Sequence, residues 1–297
     1  PTELYGQKYH CWKEKGHGYM KLRNAIKQSC DTYFYEVARL LGVDRLSITA
    51  KKYGLGNKLL QDFYLEEKKG IVPNTKWKKD TLGKGWVLGE SLITGIGQGY
   101  ISTTPLQLCL MTAHLANGGF RIKPRIVDDG SISFKNIKEK IENQLYKTSL
   151  IHNLNALEDK EPKFLEPMFK NQENIKFVCD AMYGSTNELY GTSYKSRIED
   201  EKYQFAGKTG TSQVKKITEA EREADLEISE IPYKNRDHAL YVAFGPYKNP
   251  RYSVSILIEH GGTGSSAAAP LAKKIFRKVI DRHEEREKIR LSRKQSI

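Results

Sequence analysis

No stretch of this 297-residue chain approaches the ~18 consecutive apolar residues that a membrane-spanning helix requires. No signal-peptide pattern opens it, and Pro1 rather than methionine stands first, so the expectation is an internal piece of a longer protein. Neither absence assigns a compartment. Cysteine is scarce: Cys11, Cys30, Cys109 and Cys179 form no disulfide framework, and a domain of this size does not need one. Internal repeats and low-complexity tracts are missing. So are basic residues interleaved with aromatics and any recognisable nucleic-acid module, so the net charge of +13 does not point to nucleic acid.

What is present fits a folded domain. Hydrophobic residues at 38% and charged residues at 29% match a soluble globular chain. The length allows one large domain or two small ones. Between Lys273 and Ile297 ten Lys/Arg face four Asp/Glu, a local excess of +6. Residues 281–297 read as a charged helical tail fraying into solvent, with an anionic partner surface left open.

Periodicity predicts a helix after Ser29-Cys30-Asp31, with Phe34, Val37, Ala38 and Leu41 on one face and Gly42 as the stop. Thr104-Pro105 opens another, ending at Asn117-Gly118-Gly119. Residues 54–104 between them read as extended surface loops, and 128–163 as a peripheral insertion. A helix over about 171–183 turns Ile175, Val178, Cys179 and Met182 one way. Then the pattern changes. Phe205 to Val214 suits a strand, 216–236 a flexible loop, and Ala239–Phe244 with Ser253–Ile258 a hairpin. From Ala267 a helix returns, with Leu271, Ile275 and Val279 on one face. The fold class is α/β of the α+β kind, an antiparallel sheet covered by helices.

Lys208-Thr209-Gly210-Thr211 is a short motif that chance can supply. Its setting raises it: it lies on a strand, Ser29-x-Asp31 precedes it at a helix start, and a glycine-flanked hairpin follows. A substrate ending in a carboxylate needs a fixed cation and hydroxyl donors, which Lys208, Thr209 and Thr211 supply from one strand. A tetrahedral intermediate needs backbone N–H donors, which an edge strand offers, here at Thr211. The bland reading of Ser29 and Asp31 is helix capping.

Gln28 to Tyr35, Gly97-Gln98-Gly99-Tyr100, Thr103 to Gln107, Ala116 to Gly119, Ala206 to Val214, and Ala243-Phe244 with Ile258 to Gly262 follow one another in family order. This set resembles the elongation-specific class B penicillin-binding proteins, over nearly the whole chain except 128–163 and 216–236. The resemblance implies a penicillin-binding protein/serine β-lactamase-like domain and a D,D-transpeptidase acting on peptidoglycan stem peptides and lipid-linked precursor. It also implies acylation by β-lactams, an inner-membrane anchor, a periplasmic catalytic domain and rod-elongation partners. Ser29 becomes the proton relay, Asp31 positions the catalytic lysine, and Lys208, Thr209, Gly210 and Thr211 form the carboxylate and oxyanion wall. A carboxypeptidase or β-lactamase on the same fold, or a silent binding module, are the rival readings.

The family's Ser-x-x-Lys lies upstream of Ser-x-Asp, yet none of the 28 residues before Ser29 is a serine. The literal match Ser212-x-x-Lys215 follows the strand directly, where the two side chains point to opposite faces, and is rejected. The family's first two strands and nucleophile helix are also lacking. The expectation is therefore an inactive portion that needs the missing N-terminal part.

Cys11, His17 and Cys30 place three soft donors within twenty residues, at a spacing unlike a standard finger. Two readings stand: free thiols beside a surface histidine, or a structural zinc site such as some relatives hold, with a fourth ligand further upstream. Of the other histidines, His114 in its apolar helix reads as a satisfied core residue. His260 can line the cleft mouth, and Trp12, Trp77 and Trp86 read as loop residues.

Overall fold

The structure, a computed structural model, describes residues 2–60, 66–126, 167–215 and 226–295. The expected insertion at 128–163 and part of the expected loop, 216–225, lie outside the described residues.

A short hairpin that periodicity did not reveal begins the chain: β1 (Thr2–Leu4) and β2 (Gln7–Tyr9), three residues each. Leu4 pairs with Gln7, so Tyr5-Gly6 is a two-residue turn, and both residues take the positive φ such a turn demands. Next come α1 (Leu22–Lys27), α2 (Asp31–Leu41) and α3 (Val43–Lys52). On α2 the buried positions are Tyr35 and Ala38, while Leu41 is exposed.

Residues 54–104 are not all loop. They hold α4 (Thr75–Leu82), capped by Asn74 accepting from Trp77 N, and α5 (Leu88–Gly95). Trp77 is thus helical. Lys78, nearly fully buried, pairs with Glu90 at 2.5 Å and joins the two helices. α5 crosses α2 closely because Gly95 has no Cβ; one there would lie 2.4 Å from Ala38 Cβ. α6 (Pro105–Ala116) starts as expected, with Thr104 and Gln107 forming a reciprocal capping box.

After α7 (Glu173–Asn187) come β3 (Ala206–Ser212), β4 (His238–Gly245) and β5 (Tyr252–Ile258), an antiparallel sheet in the order β3-β4-β5. Strand alternation sends Ala239, Tyr241 and Ala243 to one core and Val242 and Phe244 to the other. The first core is closed by the final helix α8 (Ala269–Gln295), the second by α6 and α7 with Leu115, Ile175 and Met182. The antiparallel sheet flanked by helices is therefore present.

The buried face of α8 is Ala269, Ala272, Phe276 and Ile280, one residue later than the expected Leu271-Ile275-Val279. From Ala272 the buried series repeats every four residues, as the expected one does; Phe276 wins because it stacks on Phe205 at 4.9 Å. Phe276 is 1% exposed and Leu271 is 40% exposed. Phe276→Ala is expected to cost about 3–5 kcal/mol, and Leu271→Ala under about 0.5. Denaturant unfolding of the full-length gene product checks the pair.

Candidate active site

Three segments meet at one end of the sheet. The first is the arm from Cys11 to Asp31. Its Ser29 sits in the left-handed region at φ 55, which a residue with a Cβ seldom adopts. Trp12 Nε1 donates to Ser29 O at 2.8 Å and Gln28 O at 3.2 Å, and Trp12 N donates to Asp31 Oδ2 at 2.8 Å. Neither Ser29 nor Asp31 caps α2: its N-cap is Cys30, with no side-chain capping bond. Arg23 reaches Asp180 at 2.5 Å and Glu188 at 2.6 Å, and Lys27 reaches Glu188 at 2.8 Å, so the arm is tied to α7. Hydrogen bonds from Arg23 hold the Glu188 carboxyl down at about 2. Nothing local signals these residues.

β3 is the second segment. Lys208 Nζ donates to Ser29 Oγ at 2.8 Å and to Thr209 O at 2.9 Å. Thr211 O accepts from Gln98 Nε2 at 2.5 Å. The carbonyls of Thr209 and Thr211 thus point away from β4, as alternation in an antiparallel ladder requires, and the Thr211 N–H points the same way. The π-helical turn Gly264–Ala268 packs over Gly210, and it is Gly264 that makes the room, since a Cβ there would run into the Gly210 backbone. The third segment is the loop with Gln98, which also accepts from Gln213 N at 3.4 Å.

The chemistry follows from burial. Desolvation pulls Lys208 down to about 8, opposed by the nearby charge of Asp31. Burial also pushes the Asp31 carboxyl upward, against the Trp12 N–H and the Lys208 charge. A lysine poised near 8 is cationic at neutral pH yet able to exchange a proton, and it holds a serine hydroxyl in place. Ser212 ends β3 opposite His238, and Lys215 lies in a bend beyond it, so no helix opens at the rejected pair.

Cys11, His17 and Cys30 do come together, with donor atoms all within 4.8 Å of one another. Cys11 Sγ lies 3.4 Å from His17 Nδ1. Burial pushes the Cys11 thiol up and His17 down, toward neutral imidazole. His17 Nε2 is buried without a hydrogen-bond partner. A soft donor set this tight, with an orphaned imidazole nitrogen, fits a zinc-type ion. Elsewhere, His114 is buried in its helix as expected and accepts from Ile122 N at 3.1 Å through Nε2, but its Nδ1 is buried without a hydrogen-bond partner, so it is only half satisfied. His260 meets His238 edge-to-face at 4.7 Å beside the hairpin. Among the described residues no helix is long and apolar enough to cross a membrane.

Residues 2–279 match the family model described as penicillin binding protein transpeptidase domain. The chain is 32% identical over 273 residues to peptidoglycan D,D-transpeptidase MrdA of Salmonella typhimurium, covering 92% of this chain and 40% of that protein. With the Haemophilus influenzae MrdA it shares 34% over 272 residues, 91% of this chain and 38% of the relative. The chain therefore spans about two-fifths of the length of these curated relatives. Among solved structures, Pseudomonas aeruginosa PBP2 in complex with WCK 5153 superposes with a TM-score of 0.69 at 33% identity, covering 93% of this chain and 52% of that one. A complex between PBP2 and MreC from Helicobacter pylori gives 0.71 at 30% identity, covering 94% and 44%.

Lys208 supplies a prediction whose sign is set by its depressed value. Between about 8 and the ordinary 10.5 the unfolded chain keeps a proton that the folded chain has released. Stability from this group therefore rises with pH across that window. Lys208→Met removes the rise, read by denaturant unfolding from about pH 7 to about pH 10.

Proposed function

Since the chain belongs to the penicillin-binding protein transpeptidase family, we propose that it forms most of the active-site wall of an elongation-type peptidoglycan D,D-transpeptidase that penicillins acylate. One observation carries the reading: the Lys208–Ser29 hydrogen bond joins two motifs 179 residues apart.

In this reading the nucleophile is a serine outside these 297 residues. Its oxygen attacks the carbonyl of the penultimate D-Ala, and the bond to the terminal D-Ala breaks. The proton lost by the serine passes through Ser29 Oγ to the departing amine. An amine from a neighbouring stem peptide then attacks the ester, returns a proton along the same path, and leaves an amide crosslink and a free serine. Lys208 anchors the relay hydroxyl and offers its charge to the substrate's terminal carboxylate, with Thr209 and Thr211 as hydroxyl donors. Gly210 lets the strand lie close, and the outward Thr211 N–H receives the oxyanion. Asp31 keeps positive charge on the lysines around it and positions the one that accompanies the nucleophile.

Cys11, His17 and Cys30 would hold a structural zinc, which when bound crosslinks the arm ahead of Ser29. β5 has no strand on its outer edge among the described residues, which supports a sheet completed by an N-terminal part of the same protein. That part also carries the inner-membrane anchor and leaves this domain in the periplasm. Substrates are the stem peptide and its lipid-linked precursor. The PBP2–MreC complex of a relative supports rod-elongation proteins as partners.

Labelled penicillin offered to the full-length gene product forms a persistent covalent adduct. Lys208→Ala slows its formation by about a hundredfold or more. No adduct with Lys208 intact defeats the enzyme reading, and rapid turnover of the adduct favours a hydrolase. Metal analysis of the same purified protein gives about one equivalent of zinc, lost in Cys30→Ala; an absence of metal in the unaltered protein dismisses the site.

A further inference from the structure

Behind β3 lies a cluster of hydroxyls with no part in the mechanism above. At the C-terminal end of α7, Ser185 and Thr186 are fully buried. The chain then turns back through Tyr190 and Gly191, bringing Thr192 and Ser193 against both α7 and the strand. Thr209 Oγ1 donates to Thr192 Oγ1 at 3.0 Å, and Thr192 Oγ1 lies 3.0 Å from Ser185 Oγ. Three hydroxyls thus stand in a row, leading from the cleft wall into the interior.

The row is held by backbone. Thr192 N donates to Lys27 O at 3.3 Å, two residues before Ser29, and Ser193 N donates to Ser185 O at 3.0 Å. Gly191 is obligatory: a Cβ there would lie 2.3 Å from Ser185 O. Ser193 Oγ contacts the buried Tyr241 OH at 3.0 Å, and Tyr241 in turn contacts Thr186 Oγ1 at 3.0 Å. The Tyr241 hydroxyl fits under β3 because residue 207 is glycine. Thr192 therefore connects the Ser29 arm, α7 and β3 beside the Lys208–Ser29 pair.

A hydroxyl has one proton and two acceptor sites. Without a ligand, the Thr209 proton is directed inward to Thr192. A carboxylate in the cleft claims that proton, and Thr209 Oγ1, reached by Lys208 Nζ only at 3.5 Å, then has an acceptor site open to a donor from behind. Thr192 can be that donor, since Ser185 can donate to Thr192 in its place. The row reverses by rotating the O–H bonds together with a small turn of the Thr192 side chain, since in the present geometry only Thr209 is oriented to donate across that contact. Hydrogen bonds in series polarise one another, so the reversed row strengthens the outermost bond to the anion.

We propose that Thr192 is a positioning residue for the substrate carboxylate: backed by Ser185, it turns the Thr209 hydroxyl outward so that three hydroxyls donate in series toward the anion. This rests on the transpeptidase reading.

The test uses the full-length gene product and two probes, a penicillin with its free carboxylate and the methyl ester of the same penicillin. Pre-binding affinity and the limiting acylation rate are measured separately. Thr192→Val is expected to weaken binding of the acid about fivefold, leave the limiting rate within about twofold and leave the ester unaffected. Thr192→Ser, which keeps the hydroxyl, restores the acid. Ser185→Ala gives a smaller loss confined to the acid, and carries the comparison alone if Thr192→Val does not fold. Equal losses for acid and ester assign Thr192 a merely structural role and overturn the proposal, as does an acid affinity unchanged in both variants. If the unaltered protein takes up neither probe, the transpeptidase reading itself falls and this inference falls with it. An adduct with the unaltered protein separates the two failures.

Discussion

The site depends on one hydrogen bond, from Lys208 Nζ to Ser29 Oγ. It sets a cation against a neutral hydroxyl in a place where burial opposes charge. Such a cation persists only if the surroundings supply acceptors and an opposing charge, and here they do: Thr209 O, Ser29 Oγ and the nearby Asp31. Because each partner comes from a different part of the chain, much of the nearby structure acts to keep them in register. The Arg23–Glu188–Lys27 cluster ties the Ser29 arm to α7, and α7 packs on β3. Each of those ion pairs is partly exposed and worth only about 1 kcal/mol or less. Their contribution is to the position of Ser29 more than to stability.

β3 shows how one strand serves two environments. Residues that pair in the ladder hold the strand to β4, and the alternate residues, Thr209 and Thr211, turn backbone groups outward. The inward side accommodates the Tyr241 hydroxyl because Gly207 has no side chain, and the turn lies over Gly210 because Gly264 has none. Gly207 is thus required by Tyr241, and Gly264 by the Gly210 backbone.

The parts legible in the sequence are those whose chemistry is local. Lys208 to Thr211, Ser29-x-Asp31 and the Thr104 cap are short runs, and β4 with β5 is announced by alternation around Gly245-Pro246. α4 and α5 were hidden because each has only eight residues, in a Gly- and Trp-rich setting, and is secured by the Asn74 cap and by Lys78–Glu90 across the pair. The buried face of α8 lies one residue from the expected one because periodicity alone does not choose between two interleaved four-residue series. Aromatic stacking on Phe205 makes the choice, and that is a tertiary fact. The contacts of Gln98, Arg23 and Thr192 are not legible in the sequence for a related reason. Their partners are Thr211, Glu188 and Thr209, and only the fold brings each pair together.

The convergence of Cys11, His17 and Cys30 bears on the same hydrogen bond. Cys11 directly precedes Trp12, and Cys30 directly follows Ser29. The cluster therefore closes the base of a loop whose indole clamps the strained Ser29 backbone. A left-handed serine is maintained only where its surroundings over-determine it. Trp12 provides that on one side; on the other, Cys11 Sγ contacts His17 Nδ1 at 3.4 Å and Cys30 Sγ lies within 4.8 Å of both. An ion held there would bear on the position of Ser29 Oγ through the backbone of this arm, without touching Lys208.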